Sequence, residues 1–303
     1  MKKINIISAL FSILFIAPTV VMAQQTDLFA AAAEESKNED KNTTNFAIAT
    51  FKNSRLINGH SVETVGAGMM DFRVHHRFGF INTGLYELFG LDNATTFIGF
   101  DFGITDRFMI GVNRTGFQKQ MEGFAKYKLL RQSTGKVNMP VSVTLVAATT
   151  VKTIKDTDPT KPRTTADKTS YTFQALLARK INDKTSIQLM PTMVHYNLVP
   201  NVGDANDRFS LGFGGRQKVS KRISINAEYY YQLNKWNGYK NSLAVGVDIE
   251  TGGHVFQLHF TNSTGMTAPT YIHETTGDWG NGDIHFGFNV SRVFRIAKKK
   301  NAF

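Results

Sequence analysis

The chain has 303 residues, no cysteine and a formal net charge of +11. Without cysteine it cannot contain a disulfide, a thiolate metal site, a cysteine nucleophile or a lipidated N-terminal cysteine. Beyond the first 23 residues no apolar run approaches the 18 or so residues of a transmembrane helix. The basic residues are scattered, apart from Lys298, Lys299 and Lys300, and this distribution does not favour a nucleic-acid partner.

The N-terminal residues 1–23 have the pattern of a secretory signal peptide, which would be removed after export. Lys2 and Lys3 supply its positive end, and Val21-Met22-Ala23 forms a small-residue cleavage site. We interpret residues 24–63 as a periplasmic lead-in. Its first part is polar and aperiodic, whereas residues 46–63 include an apolar stretch that we assign to a segment packed at the mouth of the following domain.

From residue 64 to residue 296, short segments carry an apolar residue at every second position, which is the period of a β-strand with two different faces. The first segment, 64–76, places Asp71 and Arg73 on the face opposite Phe72. Pro191 lies within the seventh segment, although it has no N–H for a strand ladder. The other eleven segments are 95–104, 108–112, 121–131, 140–151, Tyr171–Leu177, Ile187–Met193, Phe209–Phe213, Ile223–Tyr231, Leu243–Ile249, Phe256–Phe260 and Ile284–Val290.

The connections between these segments alternate between short turns, such as 105–107 and 182–184, and longer loops, such as 77–94 and 262–282. An even strand number, short periplasmic turns and long external loops characterise outer-membrane barrels. We therefore predict an all-β fold, a transmembrane antiparallel up-and-down β-barrel of about 12 strands over residues 64–296, followed by a basic tail at 297–303. A soluble β-sandwich also alternates, but it lacks this systematic loop asymmetry.

The polar parity of the strands faces the barrel interior and provides the candidate site. Its charges are mixed, which suits either a weakly selective pore or an interior closed by salt bridges. No catalytic residue, metal site or cofactor is predicted, and His259 and His285 are interpreted as members of a hydrogen-bonded network. The predicted pore-lining residues are Asp71, Arg73, His75, Asp101, Lys126, Lys128, Arg216, Glu228, Asp248, Gln257, His259 and His285.

Several short motifs also carry a family resemblance. The run His75-His76-Arg77-Phe78-Gly79, followed by Phe89-Gly90-Leu91-Asp92, Gly103–Arg107 and Lys126–Leu130 with Gln132, resembles an uncharacterised outer-membrane β-barrel family of Gram-negative bacteria, a domain of unknown function. The resemblance covers most of the chain after residue 23. It implies a barrel in the outer membrane and no particular activity.

The leading functional hypothesis is a porin-like channel or binder for small polar solutes, located in the cell outer membrane. The alternatives are a closed structural or adhesive barrel that acts through its external loops, and a membrane-embedded hydrolase. No nucleophile-elbow sequence is present, so we do not predict an enzyme. The expected partners are outer-membrane lipid, the barrel-assembly machinery and small polar solutes, with no nucleic acid. The apolar loop 77–94 is expected either to constrict the barrel mouth or to lie in the membrane interface.

Overall fold

The computed structural model describes residues 43–156, 158, 160 and 162–297. Fourteen strands are present in this part of the chain. The predicted signal peptide and most of the basic tail lie outside the described residues. The strands are β1 (Thr44–Phe46), β2 (Met69–Phe80), β3 (Ala94–Gly103), β4 (Phe108–Thr115), β5 (Gln120–Leu130), β6 (Ser133–Gly135), β7 (Ser142–Lys152), β8 (Thr169–Lys180), β9 (Thr185–Tyr196), β10 (Asp207–Lys218), β11 (Ile223–Gln232), β12 (Ser242–Thr251), β13 (His254–Thr261) and β14 (His285–Arg295).

Twelve of these strands form a closed antiparallel barrel, in which sequence neighbours pair throughout. The ring closes where the last strand, β14, pairs with the first barrel strand, β2, in a register that places Val290 opposite Val74. Closure satisfies the backbone N–H and C=O groups of every strand inside the sheet, as a bilayer requires. The predicted fold class and strand number are confirmed.

Each barrel strand has one apolar face directed outward and one face directed inward that carries polar and charged residues together with some apolar ones. In β3, Ile98 and Phe100 are exposed on the outside, whereas Phe97 and Asp101 are buried. Pro191 fits the middle of β9 because the β8–β9 pairing is interrupted there, between the pairs Gln174–Thr192 and Leu177–Leu189. The missing proline N–H therefore costs no ladder hydrogen bond on that side.

The two ends of the barrel differ in their connections. At the end with short turns, the small strands β1 and β6 pair with each other and hold the N-terminal chain against the β5–β7 connection. At the opposite end, the β13–β14 loop contains the short helix α1 (Ala268–His273), all of whose residues are buried. No helix among the described residues is long and apolar enough to cross a membrane.

The β2–β3 loop does not constrict the barrel mouth. β2 continues to Phe80, and the following loop leaves Leu85 75% exposed and Tyr86 94% exposed. The prediction that this loop folds into the mouth is wrong, and it leaves the membrane interface as the remaining alternative for its apolar side chains.

Candidate functional site

The barrel interior is filled by two segments that enter from opposite ends. From the short-turn end, residues 49–65 form an irregular loop, here called the lumen hairpin, with a tight turn in which Leu56 N–H donates to the Gly59 carbonyl at 2.8 Å. From the other end, residues 262–275 form the external insert, which includes α1. The sequence predicts residues 46–63 at the barrel mouth, but the structure places most of this segment among the inward-facing side chains of the strands.

The tip of the lumen hairpin is held by the carboxylate of Glu228 on β11. This carboxylate accepts backbone N–H groups from Ile57 at 3.2 Å, Asn58 at 2.7 Å and Gly59 at 3.1 Å. A Cβ atom on Gly59 would lie 2.0 Å from the Tyr230 hydroxyl. Glycine at position 59 therefore allows the backbone to approach Tyr230 and Glu228 without a shift of the buried Tyr230 side chain.

The backbone carbonyls of the lumen hairpin accept hydrogen bonds from long polar side chains on all sides of the ring. Lys126 Nζ donates to the Ser54 carbonyl at 3.1 Å, and Arg216 donates to the Ala49 carbonyl at 3.1 Å. Three amide side chains contribute as well: Gln257 donates to Leu56 O at 2.6 Å, Asn289 to Ile57 O at 3.1 Å, and Gln188 to His60 O at 2.7 Å. An irregular backbone inside a barrel needs such partners, because it lacks a ladder of its own.

Ion pairs add to this attachment. Arg73 bonds Asp71 at 2.9 Å and also contacts Asp101 and the hydroxyl of Ser54 on the hairpin. The pairs that join hairpin to wall are Arg55–Glu122 at 3.5 Å, Glu63–Lys128 at 3.3 Å and Lys52–Glu250, all among the described residues. The mixed charges of the interior thus neutralise each other across the hairpin–wall contact.

The external insert is anchored to the wall in the same manner. Tyr196 on β9 donates its hydroxyl hydrogen to the Pro269 carbonyl at 2.9 Å, and Lys152 on β7 pairs with Glu274 at 2.8 Å. His285 is bonded through Nδ1 to the Phe78 carbonyl at 2.7 Å, so its Nε2 accepts the Thr264 hydroxyl at 2.8 Å. These connections fix the insert to the strands beside it.

Arg77 on β2 joins the two segments. Its guanidinium donates to the carbonyls of Ser263 and Gly265 in the external insert, at 3.0 and 2.8 Å, and to the Asn58 side chain of the lumen hairpin at 2.6 Å. An apolar cluster also spans the junction. Its buried members are Phe51, Leu56 and Val62 from the hairpin, Ala268, Tyr271 and Ile272 from the insert, and Val146, Leu176, Ala178, Met190 and Tyr230 from the wall.

Burial determines the protonation of His273 at the end of α1. The side chain is fully buried, neither ring nitrogen has a hydrogen-bond partner among the described residues, and desolvation with the nearby charge of Arg208 lowers its pKa to about 3. The imidazole is therefore neutral while the external insert stays in place. Protonation of His273 at low pH destabilises the inserted position of the external insert, because a charged imidazole has no compensating partner among the described residues around it.

The predicted pore-lining residues all face the interior. Lys128 is partly exposed near the short-turn end, and the other eleven are buried. His259 contacts Arg77 at 3.5 Å and His75 stacks on Phe97 at 4.7 Å, so the inward histidines have separate neighbours. No group of three or more histidine, aspartate or glutamate side chains suited to a metal ion occurs within the described residues.

Sequence reasoning did not identify the residues of either insert as parts of this site. One local signal was available for the hairpin, since Asn58-Gly59 is a common tight-turn dipeptide. For the external insert the signal was weaker: an apolar Ala-Pro-Thr-Tyr-Ile run that starts at Ala268 inside a long loop.

The outer surface carries an aromatic group near the long-loop end of β2, β13 and β14. Phe78 stacks on Phe286 at 5.8 Å, and His76 stacks on Phe288 at 5.0 Å. Aromatic side chains at the end of an apolar band are typical of a membrane–water interface. A closed ring with this outer face and a polar interior defines a transmembrane β-barrel of the outer-membrane type.

The chain belongs to the family described as "Membrane bound beta barrel domain (DUF5777)", whose model matches residues 51–294. The matched region starts inside the lumen hairpin and reaches β14, so the hairpin is part of the same domain as the strands. Family membership and the barrel architecture together place the protein in the outer membrane.

Three solved structures are among those to which the chain is similar. The NanC porin is 8% identical with a TM-score of 0.46, covering 74% of this chain and 98% of that one. The KdgM porin is 11% identical with a TM-score of 0.46, covering 75% of this chain and 99% of that one. The outer membrane protein Omp33 of Acinetobacter baumannii is 10% identical with a TM-score of 0.42, covering 75% of this chain and 98% of that one. No curated protein sequence matches the chain.

Proposed function

We propose that this protein is a porin-like channel for small polar solutes whose resting state is closed by the lumen hairpin and the external insert. The observation that carries the proposal is the way the hairpin is attached. Wall side chains such as Glu228, Lys126 and Gln257 bind its backbone atoms. When the hairpin leaves, water in the hydrated lumen can bond to each of these side chains, so none of them is left buried without a partner.

The wall that remains after such a movement would suit polar solutes. It carries cations and anions in similar number, including Arg73, Lys126, Glu228 and Asp248. Mixed charge gives a passage with weak ionic selectivity. A barrel of twelve strands is wider than the eight-stranded barrels whose side chains fill the interior, so removal of the inserts leaves an aqueous path.

Apolar burial keeps the resting state closed. Phe51, Leu56 and Val62 of the hairpin are each at most 3% exposed, and re-exposing one such side chain costs about 1.5–3 kcal/mol. We expect the closed form to dominate, with opening as a rare event in the absence of a solute or other trigger.

A reversible covalent lock tests this proposal. The side chain of Asn53 in the hairpin donates to the hydroxyl of Ser291 on β14 at 2.8 Å, and the chain has no native cysteine, so an Asn53→Cys/Ser291→Cys pair would tie the hairpin to the wall. Planar-bilayer conductance should show brief openings in the native protein, none in the oxidised double variant, and their return after reduction. The two single-cysteine variants serve as controls, and their conductance should not respond to oxidation or reduction.

The filled lumen also favours a second candidate, a closed structural or adhesive barrel that acts through its external loops. This candidate predicts no conductance in the native, the oxidised or the reduced form, and such a result would refute the channel. Equal conductance in the oxidised and reduced forms would show that the hairpin does not close the path.

We propose no catalytic role. The hydroxyl–imidazole pair Thr264–His285 ties the external insert to β14, which gives it a structural purpose. Export through residues 1–23 and insertion by the barrel-assembly machinery are also proposals, supported by the signal-like N-terminal pattern and by the pairing of β14 with β2 at the point of closure.

A further inference from the structure

Positive charge is concentrated at the short-turn end of the barrel. This end comprises residues 104–107, 131–141, 179–185, 217–223, 249–254 and 292–297. It contains three acidic residues, Asp106, Asp183 and Glu250. Its eleven basic residues are Arg107, Arg131, Lys136, Arg179, Lys180, Lys184, Lys218, Lys221, Arg222, Arg292 and Arg295. The six longer loops at the opposite end contain eight basic and nine acidic residues. These loops are 81–93, 116–120, 152–168, 197–206, 233–241 and 262–284. The excess charge of the barrel therefore lies at one end.

The basic residues of this end are accompanied by exposed aliphatic side chains. Ile104 is 51% exposed near Arg107, Ile181 is 54% exposed near Lys184, and Val219 is 60% exposed near Lys221. Arg295 has the same kind of neighbour, since Ile296 is 55% exposed. Each pair combines an apolar group with a cation that can extend away from it, an arrangement found where side chains cross from hydrocarbon to headgroups.

These pairs are spread around the barrel. Arg107 lies in the β3–β4 turn, Lys184 in the β8–β9 turn, Lys221 in the β10–β11 turn and Arg295 at the end of β14. In the strand order of the ring the β8–β9 and β10–β11 turns are neighbours, whereas the β3–β4 turn and the end of β14 lie at other positions on the circumference. The basic residues thus form a collar around the circumference, whereas a docking site for one soluble protein would lie on one side.

Most of the collar cations are free of intramolecular ion pairs. In the described part of the chain, Lys180 pairs with Asp183 at 3.1 Å, and Glu250 is taken by Lys52 of the lumen hairpin. Arg107, Lys184 and Lys221 are exposed and form no ion pair with a described residue. Their charge is available to an external anion.

We propose that this basic collar binds the headgroups of anionic phospholipids in the leaflet that surrounds the short-turn end of the barrel. The exposed aliphatic side chains enter the acyl region, and the Lys and Arg side chains bind the lipid phosphates, to which guanidinium groups can donate two parallel hydrogen bonds. A cation close to an anionic membrane surface contributes about a fivefold gain in association. This inference does not depend on whether the lumen conducts.

The test compares lipid selectivity in reconstituted vesicles. The native protein in phosphatidylcholine vesicles receives trace spin-labelled phosphatidylglycerol or phosphatidylcholine, and the relative association constant of the two probes is measured at low and high salt. We expect at least a roughly threefold preference for phosphatidylglycerol, which falls at about 0.5 M salt because the Debye length there is only about 4 Å. The variant Arg107→Gln/Lys184→Gln/Lys221→Gln removes three of the eleven collar cations and should show a measurably lower preference.

A matched control removes three exposed cations from the opposite end, with Lys119→Gln/Lys155→Gln/Lys235→Gln. It should retain the native preference, and heat-modifiable gel migration verifies that both triple variants are folded. An absent preference in the native protein, or an equal preference in the collar variant, would overturn the proposal. Retention of soluble polyglutamate without selectivity for phosphatidylglycerol would also overturn it and would indicate an acidic protein partner.

Discussion

The hairpin tip provides the sharpest quantitative prediction, because one carboxylate holds three backbone donors. In the Glu228→Gln variant, one acceptor oxygen remains, but the other becomes an NH₂ group that cannot accept from the Ile57 or Gly59 N–H. Hydrogen bonds to a charged acceptor are worth about 1.5–3 kcal/mol each. The lumen hairpin should therefore lose about 3 kcal/mol of attachment, which raises the fraction of withdrawn hairpin on the order of 100-fold.

A single cysteine in the hairpin reports this fraction. Ser61 is fully buried, so Ser61→Cys reacts with a small thiol reagent only when the hairpin leaves the lumen, and the labelling rate follows the open population. Gln174→Leu is the matched control, because Gln174 bonds Thr192 on the neighbouring strand at 2.9 Å and does not hold the hairpin. Equal labelling rates with and without the Glu228→Gln substitution would refute the assigned role of this carboxylate.

Three further predictions concern the same assembly. Arg77→Met removes one charged hydrogen bond from the lumen hairpin and two from the external insert, so a cysteine in the hairpin should label faster by about tenfold and one in the insert by on the order of 100-fold. Gly59→Ala should raise hairpin labelling strongly, since its Cβ would lie 2.0 Å from the Tyr230 hydroxyl, and Tyr230→Phe should restore part of the native rate. Burial lowers the pKa of His273 to about 3 from an ordinary 6.5, so the external insert binds a proton more readily when it has left the lumen. The labelling rate of a cysteine in the insert should therefore be constant above about pH 6.5 and rise by up to about tenfold per pH unit below it. The His273→Gln variant should show no such pH dependence.

The strands could be predicted from the sequence because the bilayer imposes a simple rule on them. Outward positions such as Ile98 and Phe100 must be apolar, while inward positions such as Asp101 need not be, and this contrast repeats at every second residue. The inward orientation of the candidate site residues follows from the same rule. Boundaries shifted by a few residues, as in β2, which begins at Met69 and ends at Phe80.

The contents of the lumen could not be predicted in this way. The lumen hairpin has an irregular backbone and no periodicity, and its burial depends on partners far away in sequence, such as Glu228, which lies 171 residues from Ile57. Loop composition was misleading as well. The β2–β3 loop, with Tyr86 and Phe89, is more apolar than the β13–β14 loop, yet the latter enters the barrel because Arg77, Tyr196 and Gln120 meet its polar groups.

Closure of the lumen is a shared property of the two segments. If the lumen hairpin left alone, Arg77 would lose its Asn58 partner, and Tyr271 and Ile272 of the external insert would face water where Leu56 had been. If the external insert left alone, the same guanidinium would lose two carbonyls. Withdrawal of one segment therefore lowers the free energy needed to withdraw the other, as expected for groups that share one buried cluster. A channel built in this way has two dominant states, both segments in or both out, and a double-mutant cycle between Glu228→Gln and Arg77→Met should show a coupling energy of about 0.5–3 kcal/mol.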